Sequence, residues 1–363
     1  MKDQNGATFT KREHVIMDSL GSFTPYSLTL LPEYGVVCDS CNELFSPLET
    51  NFTEDTWEGV YGQRLGIKKR RSVVLREKNF KIKRVCGLGG DFFDQIFFFL
   101  ELRDGKVVPV LKDQIKLWRS GTGYRIFLLE GLEAVKEGTS EYKKLVRHFK
   151  NLDQKDIHIF GETSEKVEQM KVLLMKFGVN YKEKTSKGWA IPPGTMFELK
   201  EDVTCTLDIA LSRILAKTAF NYFAYCAVQE GMQHILLGKE FSTLRRFIHE
   251  GYGELKQIIP SINEEPILGE EHATGGRFLG HVLSFLPENG QIVVHMTFFG
   301  LPAIYKVVLG DIPHGLDATF FGCGHAFNPF DGRITNLTQQ MPANPTEEQI
   351  RLSCGLFKRE RVV

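Results

Sequence analysis

Two short stretches decide how this chain is read: Arg12-Glu13-His14-Val15-Ile16 and Val36-Val37-Cys38-Asp39-Ser40-Cys41-Asn42. The first is an acid and a histidine followed by two apolar residues. On a strand, the neighbouring side chains of Glu13 and His14 diverge to opposite faces. The second is a C-x-x-C closed by Asn42. Beyond it, Leu44, Phe45, Leu48 and Phe52 fall near helical spacing, and Trp57 extends the apolar set. Pro47 inside that run predicts a kink or a split into two short helices. Leu20-Gly21 and a loop separate the two stretches. Neither is specific alone, because a Glu-His pair is common and a lone C-x-x-C is as often a redox or incidental pair as half a zinc site.

Working outward, the chain has 363 residues, with 45 Lys+Arg balancing 45 Asp+Glu. That length exceeds what one core usually fills, so more than one domain is expected. A hydrophobic content of 42% with 25% charged residues excludes disordered and fibrous classes. No apolar run reaches the roughly 18–20 residues needed to span a bilayer. The opening MKDQNGATFTKREH lacks the apolar segment of a secretory signal, so a cytoplasmic location and no membrane partner are expected. Seven cysteines is too sparse and odd a count for a disulfide framework.

Zero net charge argues against a nucleic-acid partner only if charge is evenly spread, and it is not. Residues 64–84 carry ten basic side chains against Glu77 alone, a net +9, while residues 38–62 carry acids and no Lys or Arg. Counterion release and direct contact make such a run suited to a phosphate backbone. The plain alternative is a solvated hairpin whose long side chains face water.

Residues 64–112 read as β-rich, with an Asp104-Gly105 turn between two apolar runs. From about 124 to 200, strand and helix patterns alternate, which predicts a small mixed sheet. Residues 206–230 predict the strongest helix, and a second is expected over 241–250. The stretch around PENG (287–290) predicts three antiparallel strands, and a short helix is expected over 346–352.

In their order and spacing, E-H-[VI]-I, Leu-Gly and V-C-x-x-C-N resemble the HNH endonucleases, a ββα-metal family. The match covers about the first sixth of the chain. The resemblance implies an α+β protein with a small N-terminal ββα-metal module (1–62), a basic β-rich connector (63–112) and a larger mixed α/β domain (113–363) for target selection or regulation. It implies metal-dependent hydrolysis of DNA, with His14 as general base and a magnesium or manganese ion held by Glu13 and Asn42. Cys38 and Cys41 would be two ligands of a structural zinc, and RNA stands as the alternative substrate. Such modules are often paired in homodimers and serve in restriction or phage defence. The chemistry is consistent: neutral imidazole suits deprotonation of water, and an oxygen-bound ion neutralises the phosphate and leaving oxygen. Lys68, Lys69, Arg70, Arg71, Arg76, Lys81, Lys83 and Arg84, which follow the module, are then read as phosphate contacts.

The chain departs from the family in three places. No C-x-x-C precedes Glu13, so an in-frame pair upstream of residue 1 is the expected completion of the zinc knuckle. Glu33 stands near where an orienting Asn belongs, and Met17 replaces a common Pro. A non-catalytic nucleic-acid-binding or interaction protein with a degenerate knuckle therefore remains open, as does a large domain that gates the nuclease by sensing a ligand or partner.

Further along, AKTAFNYFAYCAV and GKEFSTLRRFIHEGYGE resemble the tails of uncharacterised bacterial proteins that begin with an HNH module. Lys217 and Asn221, one turn apart on an apolar helix, are read as structural, and Arg245, Arg246 and His249 as a solvated helix face. The Cys323-Gly324-His325 pair is also read as structural. Gly87-Leu88-Gly89-Gly90 fits neither nucleotide-loop pattern, and no G-x-S-x-G elbow occurs.

Overall fold

The computed structural model describes residues 7–23, 28–67, 72–75, 80–86, 97–103, 106–119, 123–149, 157–179, 187–191, 199–252, 258–261, 279–301, 304–316, 320–321 and 324–337. The chain is a mixed α and β protein. It forms two compact units: Met1–Thr53 joined with Leu207–Val363, and Glu54–Thr206, which lies between them in sequence. This division differs from the segments 1–62, 63–112 and 113–363. The reason is burial. Two strands of two residues each cannot cover Val15, Leu30, Phe45 and Phe52, which instead enter a core shared with residues after 207. Phe52, for example, meets Phe298 edge-on at 5.8 Å.

In the first unit, β1 (Glu13–His14) pairs antiparallel with β2 (Thr29–Leu30), placing Glu13 opposite Leu30 and His14 opposite Thr29. Helix α1 (Asp39–Asp55) follows. It runs through Pro47 as one helix and is not split there. Pro47 lies on the exposed face of the helix. The break comes later, at Thr56, whose Oγ1 accepts a hydrogen bond from the Gly59 amide at 3.1 Å and caps α2 (Trp57–Arg64).

The second unit contains α2 and then β3 (Ser72–Leu75), β4 (Phe80–Cys86), β5 (Phe99–Arg103), β6 (Lys106–Val110), β7 (Gln114–Arg119) and β8 (Gly123–Leu128). It continues with α3 (Leu129–Glu133), α4 (Ser140–Phe149), β9 (Ile157–Gly161), α5 (Ser164–Lys176), β10 (Lys187–Ala190) and β11 (Leu199–Cys205). Five strands form one mixed sheet in the order β10-β9-β7-β8-β3, with α5 as the crossover between parallel β9 and β10. Ile115, Phe127, Ile157 and Ile159 from the sheet pack with Phe149, Met170 and Leu174 from the helices. The strands of the basic run do not form a hairpin: β3 pairs with β8, and β4 pairs with β11.

The first unit resumes with α6 (Ile209–Gln229), whose cap Asp208 accepts from the Leu211 amide at 2.8 Å, and α7 (Ser242–Glu250). Six strands follow: β12 (Ile258–Ser261), β13 (His281–Glu288), β14 (Gln291–Thr297), β15 (Ile304–Asp311), β16 (Gly324–Phe327) and β17 (Ile334–Asn336). They form an antiparallel sheet in the order β12-β15-β14-β13-β16-β17. The three strands expected around PENG are its centre. Asn289 (φ 52°) and Gly290 (φ 76°) make the two-residue left-handed turn between β13 and β14. Helix α6 lies on this sheet through Tyr222 and Phe223, whose rings are 6.0 and 5.4 Å from that of Phe285. No described helix is long and apolar enough to cross a membrane. The expected helix over 346–352 lies outside the described residues.

Candidate functional site

Asp39 locks β1 to the start of α1. Its Oδ1 accepts the amides of Thr10 and Lys11 at 2.9 and 3.0 Å, and its Oδ2 accepts the Thr10 hydroxyl at 2.9 Å. These bonds, led by the Thr10 amide, hold the Asp39 carboxyl well below the usual carboxylate range. Within the same first turn, Cys38 is buried with its Sγ 3.2 Å from Ser40 Oγ, and Asn42 donates Nδ2–H to the Arg12 carbonyl at 3.4 Å. Burial works against the Cys38 thiolate, yet hydrogen bonds from Ser40 and Cys41 outweigh it and lower its pKa.

The period-two geometry of β1 then separates two kinds of side chain. Glu13 and Val15 are buried. Arg12, His14 and Ile16 line a cleft of about 220 Å³ that Asp18, Gly21 and Phe23 also border. Glu13 and His14 thus diverge, and the structure shows where each goes.

On the inner side, Lys217 Nζ from α6 is 2.5 Å from Glu13 Oε1 and 2.5 Å from Glu49 Oε1 on α1. Asn221 donates to the same Glu13 oxygen at 3.3 Å, and the Lys217 ammonium lies 5.0 Å above the Phe45 ring. Burial pushes the Glu13 carboxyl up against the pull of Lys217. Lys217 is itself desolvated, but the two carboxylates hold its ammonium above the ordinary value. This pairing is what sequence reading missed. Its one available signal was two polar residues spaced i, i+4 on an apolar helix.

On the cleft side, the wall is held from the six-stranded sheet. His281 on β13 is fully buried, with Nε2 3.1 Å from the Leu20 carbonyl, and Phe23 meets its ring edge-on at 6.0 Å. Burial pushes the His281 pKa down to about 4. Between pH 6.5 and 4, therefore, the unfolded chain binds a proton that the fold refuses. His281 contributes stability that is complete above about pH 6.5 and lost as pH falls through 4, by about 3 kcal/mol in all. Urea melts across that window should show the loss in wild type and less of it in His281→Phe. A second expected result concerns Gly21. A Cβ built there would lie 2.7 Å from Phe23 Cζ and 3.1 Å from Pro329 Cβ. Gly21→Ala should cost about 1–3 kcal/mol in a thermal melt through overpacking.

The other expected site residues disperse. Lys68, Lys69, Arg70, Arg71 and Arg76 lie outside the described residues. Lys81, Lys83 and Arg84 sit on β4, whose register with β11 puts Lys83 opposite Asp202 and Arg84 opposite Glu201. Arg245 is half-buried and donates to the carbonyls of Leu236 (2.6 Å), Gly238 (3.0 Å) and Leu237 (3.2 Å), while Arg246 is exposed. His325 Nδ1 lies 2.9 Å from Tyr222 OH.

Two metals were expected. For zinc, Cys38 and Cys41 form no disulfide, and no group of three or more His, Cys, Asp or Glu is placed to hold a metal among the described residues. A structural zinc takes four ligands, so the described donors do not fit one. For magnesium or manganese, Glu13 already has a lysine ammonium on Oε1, and Asn42 turns its amide N–H2 toward Arg12. Those donors do not fit a divalent ion as they stand. Compared with known proteins, the chain matches no family model, no curated protein and no solved structure.

Proposed function

We propose that the chain is an endonuclease of HNH type that hydrolyses nucleic-acid phosphodiesters, DNA first, with His14 as general base. The observation that carries this reading is the outer face of β1, where Arg12 and His14, two residues apart, open into one polar cleft. His14 faces the water to be deprotonated. The Arg12 guanidinium, always charged and able to bond two phosphate oxygens at once, neutralises the phosphate. No step is assigned to a metal at Glu13. Lys68, Lys69, Arg70, Arg71, Arg76, Lys81, Lys83 and Arg84 are assigned affinity for the phosphate backbone, and a restriction or defence setting belongs to the same proposal.

One observation favours a second reading: the burial of Glu13 under Lys217 suits a ββα unit retained for binding or interaction alone. A cleavage assay separates the two. Supercoiled plasmid, single-stranded DNA and RNA are incubated with wild type and with His14→Ala, with and without divalent ions. Nicking by wild type that His14→Ala loses supports the nuclease. Intact substrate in every lane, with binding that weakens steeply in salt, selects the binding module.

A further inference from the structure

Two carboxylates from different elements, Glu13 of β1 and Glu49 of α1, converge on a single ammonium carried by α6. Each Oε1 stands 2.5 Å from Lys217 Nζ. Calcium sits about 2.3–2.6 Å from oxygen ligands and magnesium about 2.0–2.1 Å. The nitrogen therefore lies between two carboxylate oxygens, as a divalent cation bridging them would. Asn221 donates to the same Glu13 oxygen at 3.3 Å. The two acids differ in access: the Glu13 side chain is 8% exposed and that of Glu49 is 29% exposed.

We infer that Lys217 is the resident cation of this module: its ammonium takes the place of a divalent ion between Glu13 and Glu49. The chain then completes its strand–strand–helix unit with a side chain from α6 instead of with metal. A covalently tethered ammonium is not lost to dilution or to chelators, and it makes the N-terminal segment depend on residues some 200 positions later. The inference stands on the ion-pair geometry and is independent of whether His14 hydrolyses anything.

The test is manganese retention by the full chain, read from the free-ion EPR signal and from Tm. Wild type should leave the free Mn2+ signal unchanged at equimolar protein, with Tm the same in EDTA and in Mn2+. Lys217→Ala uncovers two facing carboxylates and should retain one Mn2+ per chain, with Tm several degrees higher in Mn2+ than in EDTA. Adding Glu13→Gln to Lys217→Ala should weaken that retention at least tenfold. If Lys217→Ala fails to fold in both conditions, Lys217→Ser, which leaves room for bridging water, replaces it. Stoichiometric Mn2+ on wild type that Glu13→Gln removes would overturn the inference. So would folded Lys217→Ala or Lys217→Ser that retains no Mn2+. These readouts are indifferent to cleavage, so a failed nuclease assay and a failed cation test point to different errors.

Discussion

Lys217→Met should destabilise the chain by about 3–5 kcal/mol at neutral pH, because it strands two carboxylates, one of them almost fully buried, with no cation. Methionine keeps the stem packed over Phe45, so the loss reads the charge and not a cavity. Glu13→Gln should cost less, since Lys217 keeps Glu49 at 2.5 Å. The double variant, Glu13→Gln with Lys217→Met, should cost less than the two single changes together, with a coupling of about 1–3 kcal/mol. The pH dependence has a defined sign. Without Lys217, the raised Glu13 pKa rises further, and the folded state binds a proton more readily than the unfolded one. Lys217→Met should therefore regain stability relative to wild type as pH falls through the carboxylate range. Urea melts of the four proteins at two pH values measure all of this. A single-variant cost below about 1 kcal/mol would show that the cluster is hydrated and unimportant to the fold.

His14→Ala should lower the cleavage rate by about 10²–10⁴-fold, the usual contribution of a positioned general base. The half-buried imidazole belongs to the cleft rather than the core, so its removal should move Tm by no more than about 0.5 kcal/mol would. Arg12→Ala on the same strand face tests the guanidinium separately and should weaken both binding and rate. Single-turnover rates with unchanged circular dichroism distinguish loss of chemistry from loss of fold. Equal rates for wild type and His14→Ala would remove His14 from the mechanism.

Much of the architecture was legible because local physics sets it. The Asn289-Gly290 turn fixes its hairpin through backbone conformation alone, and α6 announces itself by an apolar run behind an Asp cap. Helix α5 and strand β9 follow from periods that no distant contact overrides. Pro47 misled because its effect depends on which face it occupies, and exposure is a tertiary property. The unit division was hidden for the same reason. Strand β1 was found as a motif, but nothing in a two-residue strand says that its inner face will be covered by a helix near residue 217. Within the site, the acid–histidine pair was visible and the divergence of its side chains followed from strand geometry. The occupant of Glu13 was not, because a metal ion and a lysine ammonium satisfy a carboxylate equally well, and the latter lies 204 residues away. His281 carried no signal at all. Its role comes from being enclosed by rings from other segments.

The interrupted first unit also sets a timetable for synthesis. Its opening 53 residues leave the ribosome well before Lys217, the partner Glu13 requires, with the whole of Glu54–Thr206 made in between. At about 5–20 residues per second, the separation of 204 residues is a wait of about 10–40 s. Over that interval the whole middle unit is synthesised, while Glu13 remains without its lysine on a nascent segment. Sealing the ion pair is then a late event of high contact order, and a chaperone that shields residues 1–53 would act in that interval.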